Sequence, residues 1–445
     1  MFKTIRNAWN IPDLRKKILF TLFIIIVFRF GAVIPVPFLD VNALKALMTD
    51  VGSSGTALGY MDMLSGGACS QATLFAMSVT PYINSSIIMQ LLTVAIPPLE
   101  RMAKEGEEGR KKLGTLTRYV TVLLGLIQGT AYYFFLKSST AAVNGVKIPI
   151  TKFNSGWSQI FTAVVIIMVF TAGTALMMWL GEQINQKGIG NGISILLFAG
   201  IVARLPYTGS QLGKYLSLAN ADPTGSGKYF IFVPLFIIVF LLVIWVIVFM
   251  NDAERRIPVQ YAKRVVGRKM YGGQSSHIPI KIGMSGVMPI IFASSILSIP
   301  TTINLFAKPE GVLKSVFESL SNTGWLYCVI YFMLIIMFAY FYVTIQYNPM
   351  EMANNLRQSN GTIPGIRPGK PTTDFIAKVL SKITLIGALF LAAIALLPII
   401  YGQATGMANM SIGGTSIIIL VGVALETVKQ MESQMMMRHY KGFLD

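Results

Sequence analysis

Apolar residues along this chain fall in runs of about twenty, the length at which a helix rising 1.5 Å per residue crosses ~30 Å of hydrocarbon. Clear helical windows lie near 18–36, 116–136, 158–180, 230–250, 326–346, 380–400 and 412–428. Three weaker windows, 74–96, 190–206 and 284–303, are diluted by polar and small residues. These are Pro81, Asn84, Ser85, Ser86 and Gln90; Gly192, Ser194 and Gly200; and Pro289, Ser294, Ser295 and Ser298. Such groups are costly against lipid, so these spans belong inside a bundle or against water. Close helix packing through their small residues is the alternative reading. The pattern predicts an all-α polytopic membrane protein with ten transmembrane helices and both termini on one side.

Composition agrees. Over 445 residues the mean hydropathy is +0.62 and only 13% of residues are charged, which excludes a set of soluble domains. Most of the 37 Lys and Arg sit in the N-tail, the even-to-odd loops and the C-tail. The positive-inside rule makes that side cytoplasmic, so the net charge of +18 reports topology before any affinity for nucleic acid. The basic N-terminus precedes an apolar run too long for a signal-peptide core, so the first span is expected to stay in the membrane.

The expected organisation is an N-terminal tail (1–17), a first half of five spans (18–206), an external loop (207–229), a second half of five spans (230–430) and a C-terminal tail (431–445). Large basic loops fall at 251–283 and 348–378. Spans two and seven hold related strings, Thr80-Pro81-Tyr82-Ile83-Asn84-Ser85-Ser86-Ile87-Ile88 and Met288-Pro289-Ile290-Ile291-Phe292-Ala293-Ser294-Ser295-Ile296-Leu297. Each is the second span of five, so homologous halves would be inserted in opposite orientations. Chance similarity of short apolar strings is the alternative.

Arg29 is the one charge expected well inside a span, and no Asp, Glu or His is placed as a proton relay, which weighs against a pump. Spans two, five, seven and ten instead offer Val79, Ile83, Ile193, Leu197, Ile291 and Ile419 near their middles. An aliphatic constriction blocks ions because it cannot replace their hydration. Ordinary core packing explains the same residues equally well.

Chemistry is sparse. Cys69 and Cys328 give no metal spacing, and His277 and His439 are expected on surface segments. Gly188-Ile189-Gly190-Asn191-Gly192 lacks the third glycine of a dinucleotide loop, and in 222–229 Asp222 and Tyr229 occupy positions a P-loop reserves for Gly and Ser/Thr. No enzyme or cofactor site is expected. The basic loops carry more order than topology needs. Alternation around Val259 and Tyr261 suggests a hairpin strand, and Ile363-Pro364-Gly365-Ile366-Arg367-Pro368-Gly369-Lys370 is a stiff turn presenting Arg367. A docking surface accounts for this framing; a merely solvated loop does not.

Together these stretches resemble the SecY family, the channel subunits of the bacterial Sec translocase. The resemblance runs nearly end to end, through Arg29 to Pro37, Ser65-Gly66-Gly67, Gly188 to Ser194, Arg255 to Ala262, Met288 to Ser295, Pro364 to Gly369, Gly413 to Ser416 and Arg438 to Leu444. It implies two inverted five-helix halves around a central hourglass pore. It places the pore ring on Val79, Ile83, Ile193, Leu197, Ile291 and Ile419. It places a plug at about 58–71 (Leu58, Met61, Leu64, Ser65, Gly66, Gly67, Cys69) and a lateral gate with polar positions Ser86, Gln90, Ser294 and Ser295. Docking for the motor SecA or the ribosome falls on Arg255, Arg256, Lys263, Arg264 and Arg367. SecE, SecG, signal peptides, nascent chains and membrane lipids are further implied partners, in the bacterial cytoplasmic membrane. Two departures stand out: Phe38 replaces a usual Gly, and Ser78-Val79 replaces a common Gly-Ile. A small-solute carrier with a 5 + 5 inverted repeat, and a non-transporting membrane scaffold, are the alternatives.

Overall fold

The computed structural model describes residues 2–45, 62, 65–138, 140–143, 146–151, 153, 156–221, 227–261, 264–266, 269–271, 275–307, 325–405 and 414–441. Thirteen helices appear among them. They are α1 (Phe2–Asn10), α2 (Pro12–Gly31), α3 (Thr80–Ala95), α4 (Pro97–Lys104), α5 (Glu107–Ser138), α6 (Gly156–Lys187), α7 (Gly192–Ala221), α8 (Tyr229–Asp252), α9 (Met288–Ala307), α10 (Trp325–Gln346), α11 (Pro349–Gln358), α12 (Lys370–Thr405) and α13 (Gly414–Lys441). Five of these, α5, α6, α7, α8 and α12, together with α10, are each long and apolar enough to cross a membrane; α3 with α4, bent by 102°, adds a seventh span. Helices α2, α9 and α13 complete the ten. Of these, α2 falls short on composition because it carries Asp13, Arg15, Lys16, Lys17 and Arg29.

Helix ends differ from the hydropathy windows for identifiable reasons. α2 stops at Gly31 because the residues before Pro35 and Pro37 are pushed out of the helical region. Residues 34–36 instead run extended beside 72–74, with Val36 N donating to Ala72 O at 2.9 Å and Leu74 N to Ile34 O at 3.0 Å. Span two therefore begins only at Thr80, and 74–79 is a chain of turns. α7 continues to Ala221, so much of the expected external loop is helix.

One large core joins both halves, drawing on Ile24 and Phe28 from α2, Ile83 from α3, Leu180 from α6, Leu197 from α7, Ile291 from α9 and Ile419 from α13. A separate core lies on the basic side. There β3 (Glu254–Tyr261) pairs antiparallel with β6 (Ser275–Lys281), and Gln260 and Tyr261 also pair with Thr362 and Gly361 of β7 (Gly361–Thr362). The expected hairpin is present, and the two basic loops share a single sheet. Short antiparallel pairs β1 (Thr140–Val143) with β2 (Val146–Pro149) and β4 (Arg264–Val266) with β5 (Lys269–Tyr271) complete the strands.

Candidate functional site

Val79, Ile83, Leu197, Ile291 and Ile419 belong to one buried apolar cluster contributed by both halves. Val79 is the residue capping the N-terminus of α3, and Ile83 lies one turn into that helix with its N–H bonded to Val79 O at 3.0 Å. Ile291 holds the matching place in the first turn of α9, its N–H bonded to Val287 O at 3.3 Å. The proline that opens each of these two helices lacks only an N–H that has no intrahelical acceptor in the first turn, and its fixed φ suits the helix start.

Val79, Ile83, Ile291 and Ile193 therefore all stand at the starts of their helices rather than near mid-span as expected. Ile193, the second residue of α7, differs in its contacts: its Cδ1 is directed at Gly181 of α6, 2.5 Å from where a Cβ would stand. It packs at the edge of the cluster, only partly buried. Ile201, one turn beyond Leu197 on the same face, lies inside the cluster. The i, i+4 spacing from Leu197 was the available signal for it. The GIGNG run is the joint that sets this register. Asn185 Oδ1 accepts from Gly192 N at 2.7 Å, and Asn191 Oδ1 caps α7 through Ile193 N at 3.2 Å. No side chain fits at 192, where a Cβ would lie 1.9 Å from Gly181 O.

The residues before α3 form a knot over α7. Ser65 Oγ donates to Asp62 O at 3.0 Å and accepts from Cys69 N at 3.1 Å, while Tyr132 of α5 donates to Cys69 O at 2.9 Å. Gly66, with φ +67°, rests on α7: a Cβ there would meet Gly200 O at 2.8 Å and Arg29 Nη1 at 2.8 Å. Only glycine satisfies both the left-handed backbone and this approach. Ser65 and Cys69 are fully buried. Leu58, Met61 and Leu64 lie outside the described residues. Arg29 lies in the last turn of α2, at the end of that helix rather than well inside a span as expected, half-buried, with its guanidinium over the Phe28 ring and its Nη1 without a hydrogen-bond partner among the described residues.

Across the divide between halves, α9 packs against both α3 and α5, and α10 packs on α9. Ser294 and Ser295 are buried on α9, with Ser294 Oγ donating to Ile291 O at 3.0 Å; Ser86 and Gln90 are half-buried on α3, 3.5 Å apart.

On the basic side, Ile257 and Val259 of β3 and Ile280 of β6 turn inward with Ile363, while Arg255, Arg256 and Arg367 are exposed. Arg256 is engaged by Glu254, Nε to Oε1 at 2.7 Å. Arg367 stands between Gly365 (φ +81°) and Gly369 (φ +103°), and its carbonyl accepts from Thr372 Oγ1 at 2.8 Å. A rigid turn thus holds out a single arginine. Lys263 lies outside the described residues, and of Arg264 only its place in β4 is described.

Both departures from the resemblance fall on left-handed backbone. Phe38 has φ +68° and Ser78 φ +52°, conformations a glycine adopts freely. The Phe38 ring meets Phe153 and Phe161 edge-on at 5.9 and 6.1 Å.

Comparison with known proteins places this geometry. The SecY family model matches residues 73–428. The chain is 44% identical to the protein translocase subunit SecY of Streptomyces galbus over 451 residues, covering 100% of both chains, and 44% identical to that of Bacillus subtilis (strain 168) over the same length and coverage. Among solved structures it resembles "The structure of a protein conducting channel" with a TM-score of 0.63 at 17% identity, covering 94% of this chain and 92% of that one. It also resembles "Sec61 in the Canine ribosome-channel complex from the endoplasmic reticulum" with a TM-score of 0.59 at 15% identity, again covering 94% and 92%. Full-length identity at this level, on the fold those channels share, settles the family: the chain belongs to SecY.

Proposed function

We propose that the chain conducts unfolded, signal-bearing polypeptides across a membrane and releases hydrophobic segments sideways into it. The observation that supports this most is the apolar neck, where Val79, Ile83, Leu197, Ile291 and Ile419 from both halves meet in one cluster beside a knotted segment. In this reading Ile201 supplies the second α7 position, Ile193 lies at the neck's edge, and 58–71 is the plug. The α3/α5 contact with α9 is the gate, with Ser86, Gln90, Ser294 and Ser295 along it. An aliphatic neck holds back hydrated ions, yet closes around a chain of any sequence because dispersion contacts carry no direction.

The chain is a multi-pass membrane protein; its place in the bacterial cytoplasmic membrane, with both termini cytoplasmic, is part of the proposal. So are SecE and SecG as membrane partners, and SecA or the ribosome on the sheet bearing Arg255, Arg256 and Arg367. The small-solute carrier alternative does not survive the family assignment. Replacing Ile83, Leu197, Ile291 and Ile419 together with Ser tests the neck in planar bilayers. The account expects idle ion conductance to rise by about tenfold or more; a bilayer that stays as tight as wild type removes these residues from the seal.

A further inference from the structure

One ion pair ties the knotted segment to α7. Arg204 Nη1 donates to Asp62 Oδ2, and the two side chains are only 17% and 7% exposed. The other carboxylate oxygen is also used: Asp62 Oδ1 accepts from Ser70 N at 2.6 Å, and Asp62 O accepts from Gly67 N at 2.8 Å. Asp62 therefore shapes the knot with its backbone and one oxygen, and commits the other oxygen to α7. The Arg204 guanidinium also lies over the Tyr207 ring, 5.3 Å from the centroid. The arginine is fixed by two partners.

Its place along α7 gives the pair a consequence. Leu197, Ile201 and Arg204 follow one another at i, i+4 and i+7, a single helical stripe. At 1.5 Å per residue the arginine stands about 10 Å beyond Leu197. The stripe that supplies two neck residues thus ends in the charge that holds the segment lying beside them. Moving that segment requires separating two largely buried charges, and removing either one strands the other. Arg29, the other cation beside the knot, lies over the Phe28 ring, its Nη1 without a hydrogen-bond partner among the described residues.

We propose that Asp62 and Arg204 form an electrostatic latch that holds the plug on α7 in the resting channel, with Arg204 a positioning residue for gating. This rests on the reading of the segment as a plug. The test uses the purified assembled channel in planar bilayers, measuring idle ion conductance for wild type, Asp62→Asn, Arg204→Gln, the double variant and a deletion of 62–71. Asn at 62 keeps the oxygen that accepts from Ser70 N and replaces the one that accepts from Arg204 by an uncharged donor, so Asp62→Asn decides alone if Arg204→Gln does not assemble. Each single variant is expected to raise idle conductance about tenfold, and the double variant by no more than either single. Maleimide labelling of buried Cys69 in resting membranes is expected to quicken in the same variants. Single variants as tight as wild type and as slow to label, beside a deletion that leaks, would overturn the latch and leave the plug. A double variant that leaks by the product of the singles would also overturn it. A deletion that does not leak would overturn the plug reading itself.

Discussion

The neck and the basic-side sheet are both small clusters that join distant parts of the chain, and they work by opposite physics. In the proposed neck the functional atoms are the buried ones. On that proposal Val79, Ile83, Leu197, Ile291 and Ile419, which share one buried cluster, seal collectively, and any one of them contributes a few methyl groups among many. In the sheet the buried atoms only support. Val259 is fully buried and Ile257, Ile280 and Ile363 nearly so, while the groups able to recognise a partner stand outside. On the proposed function, a seal is thus spread over many residues, and a docking contact is concentrated in one or two.

The largest single-residue effect should therefore lie in the sheet. Arg367→Glu is expected to insert and fold as wild type does, because the side chain is exposed and the turn is held by Ile363 and Thr372. Partner-driven export should fall by at least about tenfold, since a reversed charge at a contact turns attraction into repulsion of a few kcal/mol. Arg367→Lys should fall between the two, keeping the charge and losing the planar two-donor fork. Transport assays on purified channels with protease-mapped topology measure this. Wild-type export by Arg367→Glu would remove the contrast between a distributed seal and a concentrated contact.

A smaller effect sharpens the comparison on the membrane side. Phe38 carries left-handed backbone strain of roughly 1–2 kcal/mol and offsets it with two edge-on aromatic contacts of about 0.5–1.5 kcal/mol each. Phe38→Ala loses the contacts and keeps the strain; Phe38→Gly loses the contacts and relieves it. Thermal unfolding in detergent should rank Gly above Ala by about 1 kcal/mol. Equal stability of the two would mean that the backbone there is unstrained.

How far these features could be read from the sequence depends on the range of the forces involved. The spans, the matching prolines that open α3 and α9, and the strand around Val259 are local patterns, and the sequence carries them. Helix ends were less legible. α7 runs on through Pro206 to Ala221, and pairing of 34–36 with 72–74 shortens α2 and α3. Facing was not legible: the sequence could not tell that Ile193 packs against Gly181 at the edge of the cluster while Leu197 and Ile201 lie within it. The Asp62–Arg204 pair spans 142 residues, and the β3–β7 pairing joins loops a hundred residues apart. No local pattern encodes either one.

The central claim is that a polypeptide passes through the neck. Photo-crosslinking side chains placed singly at Ile83, Ile291 and Ile419, and for contrast at the 68% exposed Trp245 of α8, test it on a precursor arrested in mid-transport. The account predicts crosslinks to the arrested chain from all three neck positions and none from 245. Crosslinks of equal yield from 245, or none from the neck, would contradict it.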